Sequence, residues 1–217
     1  MELIRNAFHS VLFVSMMGAA ASSEAQQRLY GGIGVGTGKT PISNQSLAIT
    51  GATDSSLSKS DGSTAGKIFA GYKASPNLAV EAGYVDLGKT GATRNMTLPS
   101  VGSVSLNTRN AGWFADLVGM VPIGSSDFSA IGKIGLVSSE TNRNLSVAGT
   151  VSPSPGVASS YRDRETNWKY GAGAQYEINK TMVARGEVEL YRKLGKESSL
   201  GESDVGLFSL NLLIKFQ

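Results

Sequence analysis

The chain has 217 residues, a formal net charge of +3, no cysteine and a single histidine, His9. Without cysteine there are no disulfides and no thiol chemistry, and the lack of histidine after residue 9 excludes zinc sites and catalytic triads that need either residue type. Lys and Arg are spread along the chain without a run, so the sequence does not indicate nucleic-acid binding. We therefore expect no nucleic-acid partner, no metal and no cofactor.

The N-terminus has the layout of a secretory signal peptide. Residues 1–6 carry Arg5, residues 7–21 are largely apolar, and small side chains at Ser23 and Ala25 precede a cleavage point ahead of Gln26. The apolar part is shorter than the roughly 20 residues that a spanning helix needs, which favours a signal peptide over the alternative, an N-terminal membrane anchor. We predict that residues 1–25 are removed and that residues 26–217 form the mature domain.

The mature domain contains eight segments with the apolar-polar alternation of β-strands. The first runs from residue 29 to about 36 and the last from 206 to 216. The other six form three pairs around short turns, at 67–73 with 78–87, 111–121 with 128–137, and 168–178 with 182–191. Long polar stretches, which we interpret as loops, separate the pairs at 37–63, 89–109, 138–167 and 192–203.

This alternation of three short turns with four long loops is typical of outer-membrane barrels, which have an even strand number, short periplasmic turns and long external loops. Strands of about ten residues, tilted near 45°, also match the thickness of the hydrocarbon layer. The sequence therefore predicts an all-β fold, an eight-stranded antiparallel transmembrane up-and-down β-barrel in the bacterial outer membrane, with both termini on the periplasmic side.

The last segment shows most clearly which side chains face lipid. One parity is apolar and ends on an aromatic residue, and it contains Phe208, Leu210, Leu212, Ile214 and Phe216. The other parity contains Ser209, Asn211 and Lys215. In a transmembrane strand the apolar parity meets lipid and the polar parity faces the lumen. A soluble periplasmic barrel of the lipocalin kind would invert these faces and bury the apolar side chains.

The lumen parity of the eight segments collects the charged residues in near balance. They are Lys67, Glu81, Asp116, Lys133, Lys169, Arg185, Glu187, Glu189 and Lys215, with Gln175 among them. The interior of an eight-stranded barrel is just wide enough for side chains to fill. We therefore predict that these groups pair across the lumen and close it.

Several short motifs resemble the OmpA-like (outer-membrane protein A) transmembrane domain. Their order and spacing match this family over essentially the whole mature chain. The motifs are Phe69-Ala70-Gly71-Tyr72, Ser75-Pro76-Asn77, Val80-Glu81-Ala82-Gly83-Tyr84, Asp86-Leu87-Gly88, Ile131-Gly132-Lys133-Ile134-Gly135, Tyr170-Gly171-Ala172-Gly173-Ala174-Gln175-Tyr176, and Ala184-Arg185 with Glu187.

The resemblance implies an interior held by Glu81 and Arg185. The family also carries a basic residue on the fourth strand and an acidic one on the sixth, where this chain has Asp116 and Gln175; Lys133 and Glu187 are the residues that restore the balance. Family barrels usually end on Phe, which the barrel-insertion machinery recognises, whereas here Gln217 follows Phe216. The resemblance further implies a stand-alone barrel without the periplasmic domain of longer relatives, in contact with outer-membrane lipid and lipopolysaccharide.

Three classes of function follow. The first is a structural barrel with a plugged lumen that presents four loops for adhesion or for host or surface ligands. The second is a narrow pore for ions or small solutes, indicated by the polar, glycine-rich lumen. The third is a membrane-embedded lipid-modifying enzyme, for which Glu187 and Glu189 are the only carboxylate pair on one strand face that we single out. Because the mature chain lacks histidine, we expect no enzyme and no catalytic residue.

Overall fold

The computed structural model describes residues 28–39, 54–60, 62–98, 102–149, 160–194 and 203–216. These residues form nine β-strands and their short connections. The strands are β1 (Leu29–Lys39), β2 (Asp54–Ser60), β3 (Gly62–Ser75), β4 (Leu78–Leu98), β5 (Gly102–Pro122), β6 (Phe128–Gly149), β7 (Ser160–Glu177), β8 (Met182–Leu194) and β9 (Ser203–Lys215). Within the described ranges, no helix is long and apolar enough to cross a membrane.

Eight of the strands close into a ring of antiparallel neighbours, β1-β3-β4-β5-β6-β7-β8-β9, in which β9 pairs again with β1. At the closure Ile33 of β1 lies opposite Leu212 of β9. The remaining strand, β2, pairs with the C-terminal half of β4, where Ser60 lies opposite Gly91. The prediction of an eight-stranded antiparallel up-and-down barrel is confirmed.

Three short connections lie at one end of the barrel, here called the turn end, and the opposite end is called the long end. The connections join β3 to β4, β5 to β6, and β7 to β8. In the last of them, the Asn179 side-chain oxygen accepts hydrogen bonds from the backbone N–H groups of Thr181 and Met182, both at 2.8 Å. In the first, the Asn77 side chain donates to the Met120 carbonyl at 2.9 Å. Asn and Asp favour turns because their side chains bond to backbone a few residues further on, as Asn179 does, whereas Asn77 ties its connection to β5.

The strands extend much further at the long end than we predicted. β4, β5 and β6 contain 21, 21 and 22 residues and β7 contains 18, whereas we expected about ten. The interpretation of 89–109 and 138–167 as loops is wrong, because most of both stretches is paired strand. In the other two predicted loops, 37–63 and 192–203, the described residues also belong to strands, and the remainder lies outside the described residues.

The reason for this error is physical. Side chains alternate between apolar and polar where a strand separates lipid from a lumen. Beyond the lipid layer both faces of a strand contact polar surroundings, and the alternation disappears although the hydrogen-bonded ladder continues. The four strands β4–β7 therefore form a wall that rises above the rest of the barrel.

A bulge in β4 marks the level at which this wall begins. The pairing of β4 with β5 shifts register between Asp86 and Lys89, and Gly88 between them has a φ of 80°. Its N–H donates to the Asp86 carboxylate at 2.9 Å. Glycine adopts this left-handed conformation without steric cost, as a bulge of this kind requires.

The outer wall of the ring is apolar and exposed. Phe208, Leu210, Ile214 and Phe216 of the last segment are about half exposed, and Leu212 shares their parity. The soluble alternative with inverted faces is thereby contradicted, because these side chains do not line the interior. Exposed aromatic side chains lie on the same outer surface at two levels. Tyr72, Phe128 and Tyr176 lie near the turn end, and Tyr84, Trp113, Trp168 and Tyr170 lie toward the base of the wall.

Candidate functional site

The barrel interior contains a connected cluster of charged side chains, here called the lumen network. It consists of four cations and four carboxylates, each at most 2 % exposed. They project inward from β3, β4, β5, β6, β7 and β8. In order of contact they are Asp116, Lys169, Glu189, Lys67, Glu187, Lys133, Glu81 and Arg185. Opposite charges therefore alternate along the whole network.

Glu81 of β4 accepts hydrogen bonds from three side chains. One oxygen accepts from the Arg185 guanidinium at 2.5 Å and from the Tyr30 hydroxyl at 2.7 Å. The other accepts from the Lys133 ammonium at 2.6 Å. The Tyr30 ring lies against Gly71, where a Cβ would overlap it. The glycine on β3 therefore makes space for the tyrosine that completes this site.

Glu187 and Glu189 of β8 share the Lys67 ammonium. Lys67 contacts Glu187 and lies 2.8 Å from the carboxylate of Glu189. Glu187 also pairs with Lys133 at 2.6 Å and accepts a hydrogen bond from the Asn211 amide at 3.1 Å. Both carboxylates are thus buried in ion pairs.

Asp116 of β5 ends the network. One oxygen accepts from the Lys169 ammonium at 2.7 Å, and the other is buried without a hydrogen-bond partner. Lys169 also bonds to Glu189 at 2.8 Å and lies 4.1 Å from the centroid of the Phe114 ring. Such a cation-ring contact stabilises a desolvated charge.

Of the six lumen residues discussed with the family resemblance, the structure brings five into direct contact: Glu81, Lys133, Gln175, Arg185 and Glu187. The Gln175 oxygen accepts from two nitrogens of Arg185, at 3.0 and 3.1 Å. Among the described residues, ion pairs join the sixth, Asp116, to them through Lys169, Glu189 and Lys67.

Lys215, which we also assigned to the lumen, is 20 % exposed at the turn end and pairs with Glu177 at 2.8 Å.

Two apolar layers that sequence reasoning missed lie on either side of the lumen network. Toward the turn end the inward side chains are Ala79, Val118, Met120, Ile131, Val183 and Leu213. Toward the long end they are Val85, Leu87, Val137, Leu194, Val205 and Leu207. All are buried, and all share the parity of the charged residues except Leu194, which follows a register shift in β8. The lumen network is therefore enclosed between the two apolar layers.

The described residues contain no group of three or more His, Cys, Asp or Glu side chains placed to hold a metal ion. The carboxylates of the lumen network have lysine and arginine partners instead.

Comparison with known proteins assigns the fold to a family. Residues 9–216 match the family described as outer membrane protein beta-barrel domain. The chain belongs to this family. It is an integral protein of the bacterial outer membrane, and the expected OmpA-like relationship and localisation are confirmed.

Solved structures of the same architecture have little sequence in common with this member of the family. Neisserial surface protein A (NspA) is 14 % identical, with 87 % of this chain and 97 % of that chain covered and a TM-score of 0.50. The outer membrane protein OprG from Pseudomonas aeruginosa is 13 % identical, with 90 % and 100 % covered and a TM-score of 0.50. Ail, the attachment invasion locus protein of Yersinia pestis, is 14 % identical, with 86 % and 98 % covered and a TM-score of 0.46. No curated protein sequence matches the chain.

Proposed function

We propose that the protein is a structural outer-membrane barrel with a closed, charge-paired lumen that presents the wall of β4–β7 outside the cell as an interaction surface. The observation that carries the proposal is the lumen network enclosed between two apolar layers. In this view the long end is extracellular and the turn end is periplasmic, as is usual for outer-membrane barrels.

The two apolar layers support the closed lumen. Hydrophobic constrictions stop conduction by excluding water, and the side chains of these layers are buried against one another. An ion crossing the lumen would have to pass both layers and separate the ion pairs of Glu81, Arg185 and their neighbours. Breaking a buried pair costs roughly 3–5 kcal/mol.

Single-channel recording of the purified barrel in planar bilayers tests the closed lumen. We expect no conductance steps from the wild type. A double variant with Val118→Ser and Leu207→Ser, one residue from each apolar layer, serves as a positive comparison because polar side chains admit water. If the wild type shows conductance steps and Arg185→Met does not, the second candidate, a narrow ion or small-solute pore, is supported instead.

Cysteine labelling tests the orientation, because the chain has no cysteine of its own. Asn107→Cys lies on the exposed wall near the long end, and Asn179→Cys lies in an exposed connection at the turn end. A membrane-impermeant maleimide added to intact cells should label the first variant and not the second. Labelling of Asn179→Cys alone would reverse the proposed orientation.

An interaction role for the wall is supported by its size and its place on a rigid scaffold, where binding surfaces usually lie. Adhesion of cells that express the barrel to host matrix proteins, compared with cells carrying an empty vector, tests this role.

We further propose that the β9 strand, through Phe208, Leu210, Leu212, Ile214 and Phe216, is the part that the insertion machinery recognises. Truncation after Lys215 should slow insertion in cells.

A further inference from the structure

A cluster of basic side chains lies on the outer surface of the barrel, at the base of the wall. It is here called the arginine patch and consists of Lys89, Arg109, Arg162 and Arg164. Lys89 pairs opposite Arg109, Arg109 opposite Asn142, and Asn142 opposite Arg162. Neighbouring strands lie about 4.8 Å apart, so these side chains form one row across four strands. Arg164 lies in the next row, opposite Glu140.

The patch faces away from the lumen. Arg109, Arg162 and Arg164 are 52 %, 71 % and 74 % exposed. They share the outward parity of Trp113 and Trp168, which are 68 % and 62 % exposed on the same strands. The arginines therefore belong to the outer surface of the barrel and not to the lumen network.

Two carboxylates form ion pairs with the arginines but do not neutralise the patch. Glu140 accepts from Arg162 at 2.7 Å and pairs with Arg164 at 3.4 Å, and Asp86 pairs with Arg109. Hydrogen bonds from Arg162 and Asn142 lower the pKa of Glu140 to about 2, so Glu140 stays ionised.

Four cations thus face two carboxylates, and the patch carries an excess of positive charge. A guanidinium has five N–H donors in a planar fork that suits phosphate, so one arginine can hold a carboxylate and an anion together.

The three arginines of the patch, Arg109, Arg162 and Arg164, line a recess of about 530 Å³ whose floor is aromatic. Tyr84 and Trp113 form this floor and contact each other edge to face, with ring centroids 5.3 Å apart. Aromatic side chains of this kind mark the level of the lipid headgroups. The recess therefore has an apolar side toward the hydrocarbon layer and a cationic side immediately beyond it.

We propose that this recess binds the phosphorylated sugar headgroup of a glycolipid in the outer leaflet. The arginines hold a phosphate, and the exposed Trp113 ring contacts the sugar or the first part of an acyl chain. The remaining acyl chains follow the apolar outer surface of the barrel below the patch. The inference rests on the proposed orientation, which puts the long end in the outer leaflet. It does not depend on whether the lumen conducts.

Native mass spectrometry of the purified, folded barrel in detergent tests this site. The probes are diphosphorylated lipid A, the same glycolipid after phosphate removal, and phosphatidylglycerol. We compare the wild type with a double variant, Arg162→Gln and Arg164→Gln. Charge-assisted hydrogen bonds are among the stronger polar contacts, so we expect the double variant to hold diphosphorylated lipid A at least about tenfold more weakly. Heat-dependent gel mobility confirms that each variant is folded.

The matched control is Arg192→Gln. Arg192 is also an exposed arginine near the long end, paired with Asp204 at 2.9 Å, but it lies on β8 outside the patch. Its replacement should leave lipid A binding unchanged.

Equal binding of diphosphorylated lipid A by the wild type and the double variant would overturn the proposal. So would equal binding of the dephosphorylated lipid, or equally tight binding of phosphatidylglycerol. A loss of heparin binding in the double variant with unchanged lipid A binding would assign the patch to soluble acidic polysaccharides instead. If Asn107→Cys is labelled on intact cells, the proposed orientation holds. A negative lipid A result then counts against the binding site itself.

Discussion

Replacement of Lys169 by methionine should be the most destabilising single change in the lumen network. The Lys169 ammonium is fully buried between Asp116 at 2.7 Å and Glu189 at 2.8 Å. Methionine keeps an unbranched apolar stem and removes the charge. Among the described residues, only Lys169 forms an ion pair with Asp116, whereas Glu189 keeps Lys67 at 2.8 Å. The variant therefore leaves one buried carboxylate without a cation.

The expected loss of stability is roughly 3–5 kcal/mol, which is typical when one partner of a buried ion pair is removed. Arg185→Met should cost less, although Arg185 occupies the position that the OmpA resemblance emphasises. Its partner Glu81 retains Lys133 at 2.6 Å and the Tyr30 hydroxyl at 2.7 Å. The structure thus predicts that the Asp116 end of the network is more sensitive than the Arg185 end.

Urea unfolding of the barrel in lipid vesicles, followed by the fluorescence of Trp113 and Trp168, measures this difference. With a slope of about 2 kcal/mol per M of urea, the loss in Lys169→Met lowers the midpoint by about 1.5–2.5 M. Lys215→Met is the control, because its pair with Glu177 is partly exposed and such pairs contribute roughly 0–1 kcal/mol.

A second substitution separates the charge effect from a packing effect. Asp116→Asn in the Lys169→Met background removes the unpaired charge, and we expect it to restore most of the lost stability. Two results would refute the reasoning: a midpoint for Lys169→Met within 0.3 M or so of the wild type, given the slope above, or a double variant as unstable as Lys169→Met alone.

Three further predictions follow from packing, lipid exposure and charge. Gly36→Ala should destabilise by about 1–3 kcal/mol, because a Cβ there would overlap the Phe208 carbonyl oxygen of β9 and lie 2.9 Å from the Ser209 Cα. Gly132→Ala meets nothing within 4 Å and should be neutral in the same urea experiment. Leu210→Arg should cost about 2–4 kcal/mol or prevent insertion into vesicles, since this side chain is 60 % exposed in the middle of β9; unchanged folding would contradict the outward parity. A carbon-13 NMR titration should place the Glu140 midpoint near 2, below the ordinary 4.5. Its contribution to stability is then complete above pH 4.5 and is lost as the pH falls through about 2, and Arg162→Gln should move the midpoint back up.

The sequence was sufficient to predict the ring and its faces. Between lipid and lumen, each strand must alternate strictly, and Phe208, Leu210 and Ile214 follow this rule without interruption. The same rule assigned Glu81, Lys133 and Arg185 to the interior.

It could not predict which charges meet. Contacts across a barrel depend on strand tilt and stagger, which a linear sequence does not display. Asp116 illustrates the point, because the family pattern gives no partner for it and the structure pairs it with Lys169 from β7.

Two features were missed because their signal resembles something else. The apolar layers lie on the lumen face together with the charges, so residues such as Val118 and Leu207 give no separate periodic signal in the sequence. Arg162 and Arg164 fell in a stretch without alternation and were taken for a loop. A paired strand above the membrane has the same composition as a polar loop, and only the ladder of hydrogen bonds distinguishes them.

The arrangement of charges explains why such a polar interior is compatible with a stable barrel. In an isolated buried pair, each ion depends on one partner, and the cost of desolvation is barely recovered. In the lumen network, each of Lys67, Lys133 and Lys169 lies between two carboxylates, so each desolvated ammonium has two attractive neighbours. The apolar layers keep water from competing for these contacts. Closure of the lumen and stability of the network are therefore expected to fail together, so opening either layer should both admit ions and lower the urea midpoint.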